Sequence, residues 1–163
     1  MNADDMRQLY DYHFTVNRRI WERCIVGLTD EQFLRENSYS IGSVRDQTVH
    51  MMSVDDRWFC GLRREALPDF LNPLDYPDRE RVRHEWDAVE GRMREYLAGL
   101  TDGDLQADFE HMKVWQVLLH VVNHGTDHRA QLLALLGQLG VVTFPQDFIF
   151  HVWGMDPSQQ RPG

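Results

Sequence analysis

From Ala3 to Val26 the apolar residues Met6, Leu9, Tyr10, Phe14, Ile20, Trp21 and Cys24 keep a helical rhythm, which predicts an amphipathic helix ending at Gly27. His13 and Asn17 fall on or near the same face. A loop to Ile41 follows, with Thr29-Asp30-Glu31 offering a capping start inside it. Ser43 is the expected N-cap of a second helix that reaches about Ala66, with Val44, Met51, Val54, Trp58 and Leu62 along its inner side. Pro68, Asn72 and Pro73 break the next stretch, so Leu67 to Tyr76 reads as a long connection across the end of a bundle. Asp78 opens a third helix, whose Val82, Trp86, Val89, Met93, Tyr96 and Leu100 alternate steps of four and three. The turn Gly99-Leu100-Thr101-Asp102 and a short extended stretch from Phe109 to Met112 lead into the last long helix, Trp115 to Gly140.

That last helix carries apolar residues on nearly all sides, the pattern of a buried helix. Beyond it, Asp147 to Trp153 predicts one short helix or strand after Pro145, and the chain is expected to fray past Asp156. Four long helices and no convincing sheet predict an all-α protein, a four-helix bundle with long crossover loops. The expected layout is a single domain over 1–156 with a disordered tail over 157–163.

Into the apolar last helix are set His120, His124 and His128, with Asn123, Asp127 and Arg129 beside them. Unpaired polar groups there would cost a few kcal/mol each, so something must satisfy them. His124 and His128 are four residues apart, which stacks their imidazoles one helical turn apart, the spacing at which two can grip one ion. His50, central in the second helix among apolar neighbours, is the candidate third ligand. His120 lies a further turn back and cannot share the ion, so it is expected in the core or behind the ligands. His84, His111 and His151 read as exposed or locally bonded. His13 and Asn17 are either ordinary buried polar groups or the lining of a pocket around the ion. The chain has no H-E-x-x-H, C-x-x-C or E-x-x-H, which excludes zincin, thiolate-zinc and carboxylate di-iron sites. Glycine-rich nucleotide loops and a nucleophile elbow are also missing, and a three-histidine mononuclear site remains.

Charge narrows the partners. The 163 residues carry a formal net charge of −9, and Lys and Arg do not supply a basic face for nucleic acid. No apolar run is long enough to span a membrane, and only Cys24 and Cys60 are present, without an export signal. The expectation is a cytoplasmic protein without a disulfide framework. Five Trp, eight Phe and seven Met exceed what four such helices readily bury, which predicts a homodimer.

Tyr10 to Asn17 (YDYHFTVN), Ser43-Val44-Arg45-Asp46 leading to His50, Asp55 and Trp58, and above all Asn123-His124-Gly125-Thr126-Asp127-His128-Arg129-Ala130-Gln131 resemble the DinB/YfiT-like family over most of the chain. The tail, Pro145 then Asp147-Phe148-Ile149, is similar too. That resemblance implies a DinB-type four-helix bundle with His50, His124 and His128 as the metal triad. It departs at Ala130, where glycine is common and a methyl is expected only to tighten packing. Family relatives use thiols, which implies a metal-dependent thiol S-transferase with a low-molecular-weight thiol as co-substrate and a small-molecule partner. Zinc and nickel are the first candidates for the ion, since imidazole suits both. Metal-dependent hydrolysis and a non-catalytic, metal-stabilised dimeric binding protein are the rivals. Asp55, His13 and Asn17 are the candidate catalytic residues; Asp55 and Asp127 serve the ligands from behind or are plain surface charges.

Overall fold

The structure, a computed structural model, describes residues 1–38 and 40–159. Helix α1 (Ala3–Ile20) starts at a capping box, Asn2 accepting from the Asp5 N–H while Asp5 accepts from the Asn2 N–H. It runs on into a π-helical turn, Trp21–Ile25, so the helical path continues close to the expected Val26. A short helix α2 (Asp30–Leu34) grows from the Thr29 cap inside the following loop. Helix α3 (Val44–Leu62) is capped by Ser43, α4 (Arg79–Gly99) by Asp78, and the short α5 (Asp102–Leu105) by Thr101. A small hairpin then pairs β1 (Asp108–Phe109) with β2 (Met112–Lys113). Helix α6 (Val114–Gln138) and a short α7 (Phe148–Val152) complete the order.

The four long helices α1, α3, α4 and α6 form a four-helix bundle of the all-α type. Helix α3 packs on both α4 and α6, while α1 closes the bundle against the same two. Their inner faces join in one core that includes Met6, Tyr10, Met52, Phe59, Trp86 and Leu118, each large side chain contributing roughly 1.5–3 kcal/mol by leaving water. The crossover after α3 lies along that helix rather than across open solvent. The Leu71 N–H donates to Ser53 Oγ at 3.0 Å, and the Arg57 guanidinium donates to the Pro68 carbonyl.

Two expectations change. Helix α3 stops four residues before Ala66, because Arg64 takes a left-handed conformation (φ 59) and the Arg64 and Glu65 N–H groups close back on Gly61 and Cys60. That closure is the one Gly140 (φ 84) provides at the end of α6, but with arginine in the glycine position. Second, α6 is not buried all round. Gln116, Leu119, His120, Asn123, Asp127, Ala130, Ala134 and Gln138 form an outward strip along its length. Ala130, on this strip, tightens no packing. At the chain's end Pro157–Gln159 forms a 3-10 turn with Pro157 buried; of the tail expected to be disordered, 160–163 lie outside the described residues.

Candidate metal centre

Helix α3 presents His50 to α6, where His124 and His128 stand one turn apart. The three rings converge: one nitrogen of each lies within 4.8 Å of the others. The Nε2 atoms of His50 and His124 are 3.4 Å apart. Two imidazoles on one tetrahedral zinc would hold their nitrogens about 3.3 Å apart, so this pair fits a shared ion. These three histidines can hold a metal ion.

The tautomer of His128 is set from behind. Its Nδ1 lies 3.2 Å from Gln47 Oε1, and the Gln47 amide nitrogen donates to Ser40 Oγ at 2.7 Å and to Gln131 Oε1 at 3.4 Å. Gln131 in turn donates to Asp127 Oδ2 at 3.1 Å, which fixes its own amide. With every amide orientation assigned, Gln47 presents oxygen to His128, so the proton sits on Nδ1 and Nε2 is left bare toward the cluster. Asp127 therefore acts three residues removed from the imidazole, from an exposed position. His124 Nδ1 is buried and unpartnered among the described residues.

Burial holds all three imidazoles below the ordinary histidine value. His50 and His124 are lowered further by the charge of His128, and His124 falls to about 4. Neutral imidazoles with free lone pairs are what a divalent ion requires.

Next to this cluster lies a second, sealed one. Arg129 and His13 are each 0% exposed, and Asn17 and Asp55 are buried with them. Arg129 Nη1 donates to His13 Nδ1 at 3.0 Å and to Asn17 Oδ1 at 3.1 Å, its Nε to Gln146 Oε1 at 2.8 Å, and its Nη2 to Thr126 Oγ1 at 2.9 Å. A guanidinium can only donate, so His13 Nδ1 is bare and its proton sits on Nε2, 3.3 Å from Asp55 Oδ2. Burial keeps His13 below its usual value against the pull of Asp55, and Arg129 adds to the lowering. A buried cation and a buried anion are thus joined through a neutral imidazole. The negative charge of Asp55 also reaches His50, His124 and His128, raising all three against the effect of burial. Its second oxygen, Oδ1, is buried without a hydrogen-bond partner among the described residues.

Gly125 makes this contact between α1 and α6 possible. A Cβ there would sit 2.5 Å from His13 Cε1 and 3.2 Å from Arg129 Nη1. Sequence reasoning attached no role to Gly125, Arg129 or Gln47. The signal for Gln47 was its place one turn before His50; that for Gly125 was a glycine in the middle of an otherwise unbroken helix.

Beside the cluster opens a cavity of about 410 Å³, walled by Trp58, Phe109, Phe70, His120 and His124 among others. His120, expected in the core or behind the ligands, is exposed on this wall with its ring 5.1 Å from that of Trp58. His84 and His111 are exposed, and His151 sits by Asp11 at 3.5 Å. None of these three joins the triad.

The sequence profile of the DinB family matches residues 1–161. The chain is 26% identical over 160 residues to "Protein DinB" of Bacillus subtilis (strain 168), an alignment covering 90% of this chain and 92% of that protein.

Proposed function

The chain belongs to the DinB family, and from that premise we propose that it is a metal-dependent enzyme which holds one divalent ion on His50, His124 and His128 and transfers a low-molecular-weight thiol to an electrophile. One observation carries this reading. His124 belongs at once to the triad and to the wall of the 410 Å³ cavity, so one ligand of the cluster borders space for a small molecule. A purely structural site would instead be closed on all sides by protein.

When bound, zinc or nickel would supply the positive charge that lowers a thiol's pKa toward neutrality, and three uncharged imidazoles leave that charge undiluted. The remaining work falls to the chain. Gln47 keeps His128 Nε2 bare, and burial keeps all three rings neutral. Asp55 Oδ1, a buried carboxylate oxygen without a partner among the described residues, is the acceptor we assign to the thiol proton, while His13 Nε2–H holds Oδ2 and so fixes the carboxylate plane. Asn17 accepts from the guanidinium that sets the His13 tautomer, and its Nδ2 lies directly against His13 Nε2 at 3.1 Å.

The test offers zinc- or nickel-loaded protein a panel of small thiols with an electrophilic reporter, alongside esters and amides. Conjugation that disappears in His124→Ala is the expected result. Ester cleavage with the same dependence would make the protein a hydrolase instead, and neither activity would leave a binding protein. We also propose that the protein is cytoplasmic and pairs as a homodimer, on the exposed apolar groups Phe148, Ile149, Val152 and Trp153, the last 63% exposed. A monomer by light scattering across micromolar concentrations would end the dimer reading. Among the described residues no helix is long and apolar enough to cross a membrane.

A further inference from the structure

The cavity beside the triad is not uniformly apolar, and its one cation is unusual. Trp58 and Phe109 face each other at 6.3 Å between ring centroids, and Trp58 also meets the His120 ring edge-on. On the side of the crossover, Leu67 and Phe70 stand largely exposed, although both line the cavity. Exposed apolar side chains that gather around a cavity, unlike ones scattered singly, mark a place where a ligand or partner binds. Between these walls lies Arg57, half-buried, with its guanidinium carbon 4.1 Å from the centre of the Phe70 ring.

Arg57 is held but not neutralised. It donates to the Pro68 carbonyl, which together with the Phe70 stack fixes the plane of the guanidinium. Among the described residues no carboxylate pairs with it. Most other arginines of this acidic chain do have such a partner: Arg45, Arg63, Arg79, Arg83, Arg92 and Arg94 all pair with Asp or Glu. Glu110 also lines the cavity, but it sits exposed at the hairpin tip, where water screens it. A guanidinium has five N–H donors in a flat fork, and most of this fork is left for a planar, two-oxygen anion.

We propose that the cavity binds an aromatic carboxylate, its ring between Trp58, Phe109 and Phe70 and its carboxylate on Arg57, leaving the far edge of the molecule toward His124. This names the substrate class of the site and rests on reading the triad as the reactive end. A volume of about 410 Å³ is in the range of small-molecule sites, roughly 300–1,000 Å³. Arg57, on this assignment, selects the substrate and takes no part in the chemistry.

Binding to the full-length, metal-free protein at pH 8 tests the assignment without involving the ion. The probes are 1-naphthoate and its neutral counterpart 1-naphthalenemethanol, titrated by calorimetry. Naphthoate is expected to bind about tenfold more tightly or better, a charge-assisted hydrogen bond's worth. Arg57→Gln should bring the two probes level, and Arg57→Lys should restore part of the preference; unchanged melting temperatures show that both variants fold. Equal affinities in the unaltered protein, a preference that survives Arg57→Gln, or no naphthoate binding at millimolar concentration would each overturn the proposal. Failure of the protein to bind metal would sink the enzyme reading yet leave this measurement standing, so the two failures can be told apart.

Discussion

Two clusters of polar side chains sit almost back to back in this bundle, sharing helices α3 and α6 and both containing histidine, yet they are finished differently. Around Arg129 every strong donor has a partner: His13, Asn17, Gln146 and Thr126 take up the guanidinium, and Tyr12 lies against it with the ring centre 5.4 Å away. Around His50, His124 and His128 the ring nitrogens converge and His124 Nδ1 has no partner among the described residues. A buried guanidinium with all its donors partnered stabilises one packing of the helices; a cluster of convergent imidazoles stabilises little until something occupies it. The difference separates the part of the site that holds the fold from the part that awaits a ligand.

Removing Arg129 should produce the largest effect. Arg129→Leu leaves Asp55 as a buried charge without its counter-cation, and breaking such a pair costs about 3–5 kcal/mol. Chemical denaturation of the metal-free protein should show that loss, whereas His128→Ala should cost far less. Comparable losses for the two would abolish the distinction between clusters. Gly125→Ala comes next. The new Cβ would lie 2.5 Å from His13 Cε1, and forced overpacking of this kind costs about 1–3 kcal/mol. It should also shift the His13 ring resonances; a variant as stable as the parent with those resonances unmoved would show that α1 and α6 are not locked there. Smaller again is Gln47→Leu, which frees His128 to flip its proton onto Nε2. Loss of such a supporting hydrogen bond weakens metal binding by about 10–100-fold, with little change in the stability of the metal-free protein. Unaltered metal affinity would mean that Gln47 only fills space.

What could be read from the chain follows the same division. His124 and His128 share a helix and a four-residue spacing, and His50 stands in the middle of another helix, so local periodicity alone brought forward the three rings that converge. The sealed cluster draws His13 and Asn17 from α1, Asp55 from α3, Arg129 from α6 and Gln146 from the tail. Its logic is tertiary, and His13 and Asn17 read as ordinary buried groups before they read as pocket lining. The four long helices were legible from their apolar rhythm. The end of α3 was not, because the left-handed closing residue is Arg64 and not glycine. The wet strip of α6 was hidden because Leu119, Ala130 and Ala134 sit on it, and small or apolar residues at exposed positions look like core in one dimension.

The smallest effect is a dependence on pH that belongs to the open cluster. His124 is held at about 4 in the folded protein, first by burial and then by the charge of His128, against an ordinary value near 6.5. Between those two values the unfolded chain takes up the proton and the folded chain does not, so acid favours unfolding. The contribution is intact above pH ~6.5, falls as the pH drops through the interval, and changes no further below about 4. Because the ring is only partly buried, solvent screening reduces the effect to on the order of 1 kcal/mol. His13, His50 and His128 are lowered in the same direction, so the slope must be assigned by difference. Metal-free His124→Phe should lose part of the slope between pH 6.5 and 4 while keeping the part due to the sealed cluster. An identical pH profile in the variant would show that His124 titrates freely and that its environment is wetter than its burial implies.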